Sequence, residues 1–284
     1  MDVGVMLLLT DETASPFEVA RALEVRGFES LFVGEHTHMP ARPQVDYPGE
    51  RGELPPGVNR SFDPWTALMA AATATEKLRL GTAICELAVY DPILLAKVIS
   101  SVDQLSGGRL VVGAGYGWNV PEISNHGVVF AERRDVLHEN LEAMTAIWTN
   151  EVASYAGKHV TFEEILCWPK PLQSPRPPML LGATGPKGLA AVVRYFDGWM
   201  PTGYDNFVKG LPLLRQACEE AGRDISTVSI TVTDRHPDAE RLEFYAENGA
   251  ERLIVSKVMT QFTPNNLEAE LDALAATVSE HLNP

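Results

Sequence analysis

Four short runs of this sequence combine residues that can move a proton or let a ligand approach the backbone. They are Glu35-His36-Thr37-His38, Thr82-Ala83-Ile84-Cys85-Glu86, Gly113-Ala114-Gly115-Tyr116-Gly117-Trp118-Asn119 and Gly182-Ala183-Thr184-Gly185-Pro186-Lys187. Imidazole titrates near neutrality, so His36 is a candidate acid or base; a hydrogen-bonding core histidine is the plainer alternative. If the preceding strand continues, alternation turns Glu35 to the opposite face and puts His38 on the side of His36. No third ligand stands at a matching spacing, so no metal is expected. The glycines at 113–117 either mark tight turns or bring backbone within reach of a planar ring. Trp118 either packs beside that ring or fills core. The run from 182 to 187 offers free amides, Thr184 and Lys187 to a phosphate, or is an ordinary Gly-Pro turn.

Short apolar runs, alternating with amphipathic stretches, must position these pieces. Strands are expected at residues 3–9, 30–34, 78–85, 109–113, 178–182, 198–201, 228–233 and 252–258. Both faces of such apolar strands are covered, as in parallel sheets. Ser15-Pro16-Phe17-Glu18 carries a cap, a first-turn proline and a capping box, and Gly27 ends that helix. Asp63-Pro64 and Asp91-Pro92 repeat the cap-then-proline device. Helical spacing of apolar residues continues at 133–148, 188–196, 207–221, 239–248 and 265–281. About eight β-then-α units favour a (β/α)8 barrel, an α/β TIM-barrel fold, with insertions after strand 2 and before strand 5. A doubly wound sheet usually shows a Gly fingerprint after its first strand, where this chain has Thr10-Asp11-Glu12. In a barrel, the ends of strands two, three, four and five converge on one mouth. Residues 35–62 then form either a lid or a decoration, and residues 155–178 read as a hairpin with a Pro-rich tail.

The chain has 284 residues, 45% of them hydrophobic, and a formal net charge of −15. That charge disfavours nucleic acid and anionic membranes as partners, so any anionic ligand must be held by local backbone amides and a few Arg or Lys. Cys85, Cys167 and Cys218 show no CxxC spacing and fit a reducing compartment, and Cys85 and Cys167 read as packing residues. The first ten residues read as a strand with no basic leader, and no apolar run reaches membrane-span length, so a cytoplasmic location is expected. Walker, HExxH and GxSxG motifs are not found.

Together these pieces resemble the luciferase-like monooxygenase superfamily, and within it the branch of oxidoreductases that use coenzyme F420. The likeness lies in residues 31–39 and 78–85, Asp91-Pro92 with Leu95-Ala96-Lys97, residues 105–118, Trp168-Pro169-Lys170-Pro171, residues 175–181 and Asp197-Gly198-Trp199. Ser106-Gly107-Gly108-Arg109, followed by an apolar strand, Gly113-Ala114-Gly115 and Trp118, is the most specific stretch. The resemblance runs to about residue 205. It implies that residues 1–284 form one barrel domain, homodimeric, with a deazaflavin or flavin ring in its mouth. It implies a non-proline cis peptide at Ala83–Ile84, or one bond later. His36 would face the reactive ring edge as proton manager, supported by Glu35 or Glu122. Tyr116, Gly117 and Trp118 would contact the ring and ribityl chain, and Gly182, Ala183, Thr184 and Gly185 the phosphate, with Thr202 nearby. Arg42, Arg60, Arg133 or Arg134 would meet an anionic coenzyme tail. Thr184 departs from relatives that carry Gly there, and the absence of a suitable lysine pair disfavours a sugar phosphate.

The expected activity is hydride transfer between F420 and a small organic substrate. A monooxygenase that uses reduced FMN is the alternative, since both cofactors would share these contacts. A non-catalytic cofactor-binding barrel is the minor one.

Overall fold

Ser15, Asp63 and Asp91 each accept a backbone N–H from the first turn of a helix that opens on proline. Proline gives up a donor that would lack a partner there, and the cap satisfies another. These helices are α1 (Pro16–Val25), α2 (Pro64–Ala74) and α3 (Pro92–Leu105). Glu18 completes the capping box by accepting the Ser15 amide at 2.9 Å. The computed structural model describes residues 1–42, 47 and 54–282. Residues 43–46 and 48–53, the middle of the 35–62 segment expected as a lid or a decoration, thus lie outside the described residues.

The strands are β1 (Asp2–Leu7), β2 (Ser30–Val33), β3 (Arg79–Cys85), β4 (Leu110–Gly115), β5 (Val152–Ala156), β6 (Thr161–Leu166), β7 (Met179–Gly182), β8 (Gly198–Trp199), β9 (Ser229–Asp234) and β10 (Arg252–Ser256). All but β5 and β6 form a closed parallel barrel in the order β1-β2-β3-β4-β7-β8-β9-β10, and β10 returns to β1. The remaining helices are α4 (Val120–Asn125), α5 (Arg133–Thr149), α6 (Gly185–Tyr195), α7 (Tyr204–Ala221), α8 (Ala239–Glu247) and α9 (Leu267–Thr277). Each expected barrel strand is present, with shifted ends. The expected helix over 265–281 instead stops at Thr277, and a short 3-10 turn follows.

Phe32, Ala83, Val111, Leu180, Met200 and Ile254 fill the barrel interior. The taper is met by pairing large with small residues. A Cβ at Gly81 would lie 2.2 Å from the Phe32 ring, and one at Gly113 would lie 2.2 Å from the Thr82 carbonyl oxygen. At the opposite end from the mouth, the Arg252 Nε donates to Glu29 at 2.7 Å, joining the start of β10 to the residue before β2.

The insertion before β7 is an antiparallel hairpin of β5 and β6, beginning earlier than residue 155. Its Pro-rich tail is anchored by buried Asp103 of α3, whose carboxylate accepts the Leu172 and Gln173 amides at 2.7 and 2.9 Å. Among the described residues no helix is long and apolar enough to cross a membrane.

Candidate active site at the barrel mouth

The strand ends open into a cavity of about 640 Å³. Its apolar wall comes from Met6, Leu8, Ala83, Ile84, Met200 and Val258. The Ala83–Ile84 peptide is cis, as the resemblance implied. Glycine is required opposite it, because a Cβ at Gly115 would lie 1.7 Å from the Ile84 Cδ1. The wall is therefore a smooth apolar surface, suited to a flat ring.

His36 lines this cavity, with Nδ1 2.8 Å from the Glu122 Oε2. A carboxylate only accepts, so Nδ1 carries the proton and Nε2 is the nitrogen left for a ligand. Glu122 lies on the first turn of α4, is 1% exposed, and is held further by the Thr37 amide at 2.7 Å and the Asn119 amide group at 3.1 Å. Burial pushes the Glu122 carboxyl up, but the His36 hydrogen bond and charge, with the Thr37 and Asn119 donors, carry it below its ordinary value. Trp118 meets the His36 ring edge-on at 5.7 Å, and Tyr47 packs on Trp118 at 5.4 Å.

Glu35 also borders the cavity, but both its oxygens are engaged. One accepts the Glu86 amide at 2.9 Å and the other the Tyr90 hydroxyl. Burial raises its carboxyl, partly offset by the Tyr90 hydrogen bond. Glu35 thus braces the turn after β3. Glu86 itself is 4% exposed, and its carboxyl is pushed up to about 8 by burial, then by Glu122 and Glu35, with Arg133 opposing. Gly117 has φ +71, and a Cβ there would lie 3.0 Å from the Glu86 Oε2, so this glycine serves both the turn and that carboxyl.

Among the expected contacts, Glu35, His36, Ala83, Ile84, Trp118 and Thr202 share the cavity. Glu122 stands behind His36, and Gly182 faces Ile84 at ordinary contact distance. Tyr116 turns away toward α5, where its hydroxyl lies 3.2 Å from the His138 Nε2. Ala183 accepts the Trp199 indole N–H at 2.9 Å. Thr184 is the exposed N-cap of α6, its side chain makes no capping bond, and Gly185 follows at φ +71. None of these residues is among those that line the cavity.

One expectation is corrected, and one grouping was not read from the sequence. His38 does not share the side of His36. β2 ends at Val33, so strand alternation does not reach these residues, and His38 lies with Asn125 and His126. A third ligand-type partner for His36 does exist, because ligand atoms of His36, Glu86 and Glu122 lie within 4.8 Å of one another. They come from three separate segments, so no local spacing reveals them. Of the expected arginines, Arg60 pairs with Asp11 at 2.7 Å, Arg133 donates to the Gly117 carbonyl at 3.2 Å, and Arg134 lies over the Tyr116 ring at 4.9 Å. Arg42 is exposed. The three cysteines are buried, and burial and Glu35 push the Cys85 thiol well up, which leaves it inert.

Asp234, Arg235, His236, Arg241 and Ser256 also line the cavity and were missed by the sequence reading. Asp234 ends β9 and Ser256 ends β10, so the rule that chemistry follows barrel strands would have found them.

The chain is 38% identical over 283 residues to the uncharacterized protein Rv0953c of Mycobacterium tuberculosis, covering 98% of this chain and 99% of that one. It is 27% identical over 213 residues to the F420-dependent hydroxymycolic acid dehydrogenase of the same organism, covering 74% of this chain and 55% of that protein. The fold matches an F420-dependent secondary alcohol dehydrogenase in complex with an F420-acetone adduct (TM-score 0.76, 19% identity, 99% of each chain). It also matches the coenzyme F420-dependent tetrahydromethanopterin reductase of Methanopyrus kandleri (TM-score 0.72, 16% identity, 100% of each chain). The family description "luciferase-like monooxygenase" matches residues 3–275, and the chain belongs to that family.

Proposed function

We propose that this chain is a coenzyme F420-dependent oxidoreductase acting on a small organic substrate. The observation that carries the reading is an apolar barrel mouth containing one imidazole whose tautomer is set by a buried carboxylate. Hydride chemistry asks little more of a protein than a dry surface, an orientation and the handling of one proton. The F420 named for a mycobacterial relative and for two solved neighbours supports the choice of cofactor.

The residues present fit such a group. Ala83, Ile84 and Met200 would bear the ring, Gly117 and Trp118 would flank it, and the uncapped start of α6 at Thr184 and Gly185 would hold the phosphate. Bound there, a deazaflavin would supply a hydride donor or acceptor. Met6, Leu8 and Val258 exclude water from that surface. His36 holds or accepts a proton at Nε2, and Glu122 keeps the imidazole oriented with its Nδ1 protonated. Glu35 acts through the loop, fixing the Glu86 backbone. The acidic surface leaves recognition of an anionic tail to local groups, and Arg235 and Arg241 line the mouth, Arg241 held there by Asp234 at 3.2 Å.

Titration of the apoprotein with F420 and with FMN, read by Trp118 fluorescence, tests the reading. Tighter F420 binding and hydride exchange with a panel of alcohols and α,β-unsaturated carbonyls are expected. Tighter FMN binding with oxygen-dependent turnover would instead establish a flavin monooxygenase. Light scattering on the same preparation checks for a homodimer.

A further inference from the structure

Among the described residues, four side chains bury a polar atom that has no hydrogen-bond partner, and of these only Glu86 lines the cavity. Its Oε2 is that atom. A buried carboxyl oxygen without a partner is costly unless it is protonated or meets a ligand. The fold makes room for it: Gly117 leaves open the space a Cβ would fill, and Glu35 pins the Glu86 amide at 2.9 Å. The titratable groups around it are Glu35, His36 and Glu122, with Arg133 from α5. Two of these are carboxyls, so a further negative charge at Glu86 is opposed.

We propose that Glu86 is a second catalytic residue, a neutral carboxylic acid with one oxygen sealed beside Gly117, whose carboxyl donates its proton to an oxygen atom of the bound substrate. This rests on the cavity being the oxidoreductase site argued above. The substrate class is then one with a carbonyl or hydroxyl at the reacting carbon. The step is a proton transfer: as charge develops on the carbonyl oxygen, the Glu86 O–H bond breaks and an O–H bond forms on the substrate. The electron pair stays on the Glu86 carboxylate, and the hydride reaching carbon comes from the reduced deazaflavin. Water at the mouth reprotonates Glu86. In the oxidative direction the alcohol proton returns to it. Glu86 and His36 thus divide the work, one proton at the substrate oxygen and one near the ring.

A divalent cation held by His36, Glu86 and Glu122 is the competing use of the same atoms. The geometry favours the acid. Glu122 already receives Thr37 N and Oγ1 on Oε1, at 2.7 and 3.1 Å, and His36 and Asn119 on Oε2, at 2.8 and 3.1 Å. Those four contacts fill the acceptor positions of a carboxylate, and none is left for a metal.

Infrared spectra of the cofactor-free protein at pH 7 should show a protonated-carboxyl band that is lost in Glu86→Gln and kept in Glu122→Gln. No such band in the wild type, or a band as strong in Glu86→Gln as in the wild type, overturns the proposal. In the loaded enzyme, Glu86→Gln should keep its F420 affinity and lose kcat by about 100-fold or more. Unchanged kcat would overturn the role of Glu86 alone, whereas failure of the wild type to bind F420 would sink the cofactor reading and leave the infrared result standing. Saturable Zn²⁺ binding by calorimetry, abolished in both Glu86→Gln and Glu122→Gln, would replace the acid by a metal site. Glu86→Leu, which fills the volume without a donor, should match Glu86→Gln in loss of turnover.

Discussion

The His36 Nδ1 lies 2.8 Å from the Glu122 Oε2, although the two residues are 86 positions apart and Glu122 is sealed from solvent. Orientation and tautomer of the imidazole are both set by this contact. His36→Ala should retain cofactor binding and lose kcat by about 10²–10⁴-fold, as removal of a proton-handling group does. Glu122→Gln should also lower kcat, and it removes an ionised acceptor from four donor groups. Its cost in stability should be about 1–3 kcal/mol, read by urea unfolding.

Glu86 predicts an unusual pH dependence of stability. Its carboxyl rises from an ordinary 4.5 to about 8 on folding, so between those values the native state holds a proton that the unfolded chain has released. Stability therefore falls as pH climbs through that window, by at most about 1.4 kcal/mol per pH unit from this group. Glu86→Gln should flatten that slope in urea melts between pH 5 and pH 8, as a check at about those limits. An identical slope in the variant would contradict the assignment.

At the far end of the barrel, Glu29 shows the opposite sign. Burial raises its carboxyl, but the Arg252 hydrogen bond and charge outweigh this and hold it below 4.5. Its contribution is present above the unfolded value and is lost as the pH falls through the lowered folded one. Glu29→Ala leaves buried Arg252 without its partner and should cost about 3–5 kcal/mol at neutral pH. The difference from wild type should shrink in acid, where Glu29 is protonated. Activity per folded molecule should be unchanged, because the pair lies away from the mouth.

Gly115→Ala tests the apolar wall. The new Cβ would lie 1.7 Å from Ile84 Cδ1 and 2.9 Å from its Cγ1, so Ile84 must rotate toward the cavity. Overpacking of this kind costs about 1–3 kcal/mol. The larger effect should be on F420 or FMN affinity, measured by fluorescence titration, because the displaced side chain occupies ring space. Ile84→Ala in the Gly115→Ala background should restore part of the lost binding.

Much of the architecture was decided by local patterning. Apolar runs bounded by Gly and Pro specify strands whatever their neighbours, and Ser15-Pro16, Asp63-Pro64 and Asp91-Pro92 start helices through contacts within one turn. Gly113, Gly115 and Gly117 were legible as close approaches because only a missing Cβ permits them, although their partners Thr82, Ile84 and Glu86 were not named by the pattern. The six-residue α4 gave no periodic signal, so Glu122 was legible only through the family likeness. Tertiary structure alone decided which carboxyl met which group. Glu35 went to Tyr90 and the Glu86 amide, Glu122 to His36, and Glu86 was left at the cavity wall with one buried oxygen unpartnered. Once the chain leaves β2 at Val33, no period relates a side chain to a face, and barrel closure determines which distant residues meet.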